Sequence, residues 1–166
     1  MNEKGEYEME EKEIVLTSEG YKKLEEELTN LKGPKKMEVA EKIKAAREFG
    51  DLSENSEYDE ARNEQALLEA RIQELDTMLR NAKIVDNIST TTVGVGVSVT
   101  LYDYEFEEEV EYHIVGTTEV DLMANKISTD SPVGRALVGK KKNEEFEVAI
   151  PAGVAKYKVL DIKKTV

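Results

Sequence analysis

Between Tyr58 and Ala82 the chain keeps one line of positions: Tyr58, Ala61, Gln65, Leu68, Ile72, Leu75, Leu79 and Ala82 follow in unbroken steps of three and four. Such steps make a heptad seam, a stripe too narrow for a helix to bury without a facing partner. The partner precedes it. Thr17 is a fitting N-cap, and Tyr21, Leu24, Leu28 and Leu31 form a matching stripe behind it. "KGPKK" then interrupts the pattern. Pro34 lacks an N–H and crowds the preceding turn, so Gly33 and Pro34 are expected to kink or break the helix. The stripe resumes out of register at Val39, Ile43 and Ala46 and ends at Phe49 and Gly50. Two such helices on a short connection can bury their stripes only by folding back on each other, which predicts an antiparallel coiled-coil hairpin over residues 15–86. Arms of roughly 30 residues, rising about 1.5 Å per residue, make a rod on the order of 45 Å long and too thin to hide its own tip.

Past Asp86 the apolar period shortens to two. "VGVSVTLYDYEF", "EVEYHIVG", "EFEVAIP" and "AKYKVLDI" read as strands. One short helix interrupts them in "DSPVGRALVGKK", where Ser131 can cap, Pro132 fits the first helical position and Gly139 fits the stop. Residues 87–166 are therefore expected to form a small α+β domain, and residues 1–14 an acidic extension. The fold class is an α-helical hairpin followed by an α+β domain.

The connection itself is "GDLSENSEY", residues 50–58, with three carboxylates and an asparagine in nine positions. Asp51 and Glu54 are three apart, which on a helical turn puts both carboxylates on one side. Two such oxygens suit a hard cation such as Mg²⁺, which keeps several waters and is commonly held by one or two carboxylates plus phosphates. An exposed pair is then an incomplete site that something else must finish. A purely architectural reading also fits: Asp51 capping the second helix with Glu54 at its third position, or Ser56 and Asp59 forming a capping box. That reading gives no reason for Leu52 to stand exposed beside the acids. Arg47 and Arg62 flank the tip on the two arms. They can meet nucleic-acid phosphate, or pair with Glu48, Glu57 or Glu64 in surface ion pairs of little energetic weight.

Composition excludes several classes. No cysteine is present, so disulfides, thiolate zinc sites and a cysteine nucleophile are absent together. The single histidine, His113, lies in a strand pattern and is expected to be structural. A formal net charge of −13 argues against strong nucleic-acid binding by the protein as a whole. The longest apolar runs are a few residues and no apolar stretch follows a basic N-terminus, so a cytoplasmic protein with no membrane partner is expected.

"GDLSENSEYDEAR", preceded by "LTSEGYKKLEEEL" and followed by "SPVGRALVGKK" and "PAGVAKYKVLDI", resembles the bacterial Gre family of transcript cleavage factors, A type, over nearly the whole chain after Val15. The resemblance implies a coiled-coil hairpin inserted through the secondary channel of RNA polymerase and an FK506-binding-protein-like C-terminal domain docked at the channel entrance. It places the family's two catalytic acids on Asp51 and Glu54, where they would share a Mg²⁺ with the polymerase active site; no stably bound cofactor is expected. The basic patch that touches the nascent RNA 3′ end falls on Arg47 and Arg62. Leu52, Asn55 and Tyr58 are expected to support the tip, and Ser131 and Pro132 to contact polymerase. A monomer that is not itself an enzyme is expected. Two rivals remain: an inhibitor of the same build that blocks the channel without cleavage, and a prolyl isomerase, which would need an aromatic-lined pocket.

Overall fold

Thr17 sits extended and accepts a hydrogen bond from Gly20 N at 3.0 Å, so the first helix, α1 (Ser18–Asn30), begins where its capping residue stands. The computed structural model describes residues 13–50 and 55–165. Of the kink or break expected at Gly33 and Pro34, the break does not occur. Leu31–Lys35 instead form a π-helical turn that carries the chain directly into α2 (Lys36–Glu48). A π turn holds one extra residue and widens the backbone, which accommodates a ring that cannot donate to the preceding turn. The extra residue also explains the register slip. From Leu31, steps of four and three would have reached residues 38, 42 and 45; the buried positions are Val39, Ile43 and Ala46, each one later.

The second arm, α3 (Ser56–Arg80), returns antiparallel to the first and meets it in two apolar clusters. Val39, Ile43, Ala61 and Leu68 pack in the upper half with Leu31, Tyr58 and Ile72. Leu16, Leu24 and Leu75 close the base with Tyr21, Leu28, Met78 and Leu79. Each fully buried leucine contributes about 1.5–3 kcal/mol relative to exposure. Between the clusters Arg71 reaches across to Glu27 with two parallel bonds of 2.8 and 3.1 Å, a fork geometry that fixes the register of the two arms.

Two boundaries differ from the pattern reading. α3 stops at Arg80, and Ala82, the last position of the seam, begins a strand, β2 (Ala82–Ile84). Its parallel partner is β1 (Ile14–Leu16), with Ile14 opposite Ala82 and Leu16 opposite Ile84. Ile14 thus belongs to the base of the hairpin rather than to the acidic extension. A three-residue strand has no period of its own, and its partner lies at the other end of the hairpin in sequence.

The C-terminal half is a five-stranded sheet in the order β5-β4-β3-β7-β6, built from β3 (Val97–Asp103), β4 (Glu108–Val115), β5 (Lys126–Ser128), β6 (Glu145–Ile150) and β7 (Gly153–Lys164). Helix α4 (Pro132–Leu137) covers one face. Its Leu137 packs with Val97, Val99, Leu101, Ile114, Phe146 and Val159. β5 carries no alternating stretch long enough to read from sequence; it pairs parallel to β4 after two 3₁₀ turns, Thr117–Glu119 and Leu122–Ala124. His113 has a structural place: its Nδ1 lies 2.6 Å from Ser98 Oγ on the neighbouring strand.

The two halves meet at the N-terminus of α1. Glu119 Oε2 accepts from Thr17 N at 3.1 Å and from Gly116 N at 3.2 Å, while Oε1 accepts from the Thr17 hydroxyl.

Candidate functional site

The far end of the hairpin is closed by one side chain. Asn55 is the N-cap of α3: its Oδ1 accepts from Tyr58 N at 3.1 Å. Its Nδ2 donates to the carbonyl of Ala46, in the last turn of α2, at 2.7 Å. One amide therefore satisfies an orphan N–H of one helix and an orphan carbonyl of the other, drawing the two helix ends together. On the other side Gly50 turns out of α2 at φ +99°, a left-handed conformation that glycine adopts without strain. Residues 51–54 span the interval between these two fixed points.

The Asn55 cap decides between the architectural proposals for the acids. The cap position is filled by Asn55, so neither Asp51 nor Ser56 is the N-cap of α3. Glu57 and Asp59 supply the acids of its first turn. Asp51, Leu52 and Glu54 themselves lie outside the described residues.

Arg47 and Arg62 are both exposed on the arms below the tip. Arg47 places its guanidinium 6.0 Å from the centre of the half-buried Tyr58 ring, within cation–π range. Arg62, one helical turn after Tyr58, donates to Gln65 at 2.8 Å. Glu64, an expected partner for the arginines, is taken by lysines instead: Lys35 at 3.0 Å and Lys42 at 2.9 Å. Those hydrogen bonds, Lys42's first, hold the Glu64 carboxyl below its ordinary range. Lys42 is exposed and Lys35 and Glu64 are partly so, and solvent screening keeps the gain in stability slight. Tyr58 thus joins the two sides of the tip, as a wall of the upper cluster and a platform for Arg47.

Ser131 and Pro132 are at the other end of the molecule's chemistry. The Ser131 hydroxyl accepts from Gly134 N at 3.0 Å and donates to the Ser128 carbonyl at 2.8 Å. It is occupied in building the turn, and the exposed face of that turn is Pro132 with Arg135. A Cβ on Gly134 would stand 2.0 Å from the Ser128 carbonyl, so this turn is closed tightly on the sheet. Among the described residues Phe146 and Tyr157 stack inside the core and the hollow at the distal sheet edge has one aromatic, Tyr104, so neither place offers the aromatic-lined pocket a prolyl isomerase would need.

The described residues thus form a two-arm finger whose far helix ends are tied by Asn55, rooted on a small five-stranded sheet domain. Residues 14–84 match the family model "Transcription elongation factor, N-terminal", and residues 88–164 match "Transcription elongation factor, GreA/GreB, C-term". The chain belongs to the GreA/GreB family of transcription elongation factors. It is 57% identical over 155 residues to the transcription elongation factor GreA of Caldanaerobacter subterraneus subsp. tengcongensis, covering 92% of this chain and 99% of that protein. The GreA of Acetivibrio thermocellus is also 57% identical over 155 residues, covering 92% and 98%. Among solved structures, the GreA factor homolog 1 of Thermus thermophilus is similar at 29% identity, covering 90% of this chain and 98% of that one, with a TM-score of 0.42.

Proposed function

We propose that the protein binds bacterial RNA polymerase in the cytoplasm as a monomer, passes its finger through the secondary channel, and stimulates the polymerase's own cleavage of backtracked RNA. The observation that carries this reading is the Asn55 cap. With the end of α3 already capped by Asn55, the acids at 51 and 54 are not needed for that purpose, which leaves their charge free to act on a partner.

The donor set suits the implied metal. Asp51 and Glu54 offer hard carboxylate oxygens, too few to retain Mg²⁺ alone, so the remaining ligands would come from polymerase and transcript. When bound, Mg²⁺ would polarise the phosphate and acidify a water. This chain's part is to hold two carboxylates where that shared ion needs them. Arg47 and Arg62 would contact the extruded RNA phosphates, with Arg47 steadied on Tyr58. Pro132 would meet the polymerase surface.

The decisive assay adds the protein and Mg²⁺ to stalled, backtracked polymerase complexes. Shortened, extendable RNA is expected, and no cleavage of free RNA by the protein alone. Slowed elongation without shortened RNA would instead identify the channel-blocking inhibitor. In the same assay Pro132→Ala should raise the factor concentration for half-maximal cleavage several-fold with the melt nearly unmoved. An unchanged concentration dependence would remove Pro132 from the docking surface.

A further inference from the structure

We infer that Glu119 is a positioning residue for the finger: its carboxylate sets the direction in which the hairpin leaves the C-terminal domain, and thereby where the tip acids arrive. The inference rests on the cleavage-factor reading for its functional consequence and on geometry for the rest.

Glu119 belongs to the sheet domain, in the 3₁₀ turn after β4, yet three hydrogen bonds end on it and two come from Thr17, at the start of the finger's first helix. Thr17 is in turn the N-cap of α1, accepting from Gly20 N. A continuous chain of donors thus runs from the first turn of the finger, through the Thr17 hydroxyl, to a carboxylate whose other oxygen is tied to its own domain at Gly116 N. The contact leaves no space for larger residues. A Cβ on Gly20 would lie 2.1 Å from Glu119 Cδ, and one on Gly116 would lie 2.3 Å from the Val15 carbonyl of β1. Two glycines, one on each side of the junction, stand where the surfaces touch.

The finger is a lever on this joint. From Ser18 to Glu48 it rises on the order of 45 Å, so a tilt of about 5° at Thr17 displaces the tip by about 4 Å. Misplacement by about 1 Å can cost on the order of 100-fold in rate. A joint held only by the chain connection after β2 and by the packing of β1 on the Thr117–Glu119 turn would sample such tilts; a carboxylate receiving bonds from both bodies restrains them.

The test uses the full-length chain. It has no native cysteine, so spin labels at Lys44→Cys on the finger and Glu147→Cys on the sheet domain report one distance by pulsed dipolar spectroscopy. Glu119→Ala should broaden that distance distribution and lower the maximal rate of stimulated cleavage about tenfold or more, with the half-saturating concentration changed little. Glu119→Gln, which keeps a carbonyl acceptor, should restore much of both. Gly20→Ala, which favours the helix but drives a methyl into the Glu119 carboxylate, should reproduce the broadening without altering charge or the fold. An unbroadened distribution in Glu119→Ala and Gly20→Ala overturns the inference, as does broadening with a full maximal rate. If the parent protein itself stimulates no cleavage, the proposed function fails, and the distance measurement alone then decides whether Glu119 fixes the joint.

Discussion

Asp51→Asn and Glu54→Gln are each expected to abolish most stimulated cleavage while leaving the thermal melt and the affinity for polymerase nearly unchanged. Both substitutions keep size and hydrogen-bonding capacity and remove charge. Losing an N-cap costs about 0.5–2 kcal/mol, but the cap of α3 is Asn55, so neither change should register on the helix. Loss of a cation ligand, by contrast, acts on the chemical step alone. The doubly substituted protein should fill the channel and compete with the parent, so a mixture should cleave more slowly than the parent by itself. Near-normal cleavage by the Asn and Gln variants would leave Arg47 and Arg62 as the functional groups of the tip.

The two-arm architecture was legible because it rests on long periods. The apolar positions of the seam from Tyr58 to Leu79 and of the stripe from Tyr21 to Ile43 lie where the clusters form, since burial against a single partner leaves a regular trace in sequence. The same holds for α4, whose Ser131 cap, Pro132 and Gly139 each have a local reason to be there. What escaped was whatever depends on a distant partner or a subtle backbone adjustment. Pro34 reads as a breaker because proline usually is one; only the one-residue slip between Leu31 and Val39 hinted that the helix continues through a π turn. β1, β2 and β5 are three residues each, too short to show a period. At the tip, Asn55 was legible as a support, but its donation to the Ala46 carbonyl depends on the fold-back of the opposite arm. Glu119 gave no signal at all, being one acid among many in an acidic chain.

Both ends of the finger follow one design. At the base a side chain of the sheet domain reaches the first turn of α1; at the tip a side chain of α3's cap reaches the last turn of α2. Each uses a polar group with two faces to join two backbones that would otherwise leave orphan donors or acceptors at a helix end. Positional accuracy over a long, thin body is concentrated at these two places, since the seam between them resists bending but says nothing about where its ends point.

The tip clamp can be tested apart from helix capping, because Asn55 performs two tasks with two different atoms. Asp at this position is as good an N-cap as Asn, so Asn55→Asp keeps the bond from Tyr58 N. It loses the Nδ2 donor, however, and turns a carboxylate oxygen toward the Ala46 carbonyl, where two acceptors now repel. The helix should therefore stay capped while the loop ends move apart. Stimulated cleavage is expected to fall on the order of tenfold to a hundredfold, the scale of an ångström-level misplacement of reacting groups, with a melt lowered by at most about 1–3 kcal/mol for the unsatisfied carbonyl. Asn55→Ser, which can cap but is too short to bridge, should behave alike without the added charge. The relevant comparison is the maximal cleavage rate of both variants against their melts. Full cleavage by Asn55→Asp would show that capping alone is what the tip requires of residue 55, and that the acids at 51 and 54 find their place only once polymerase surrounds them.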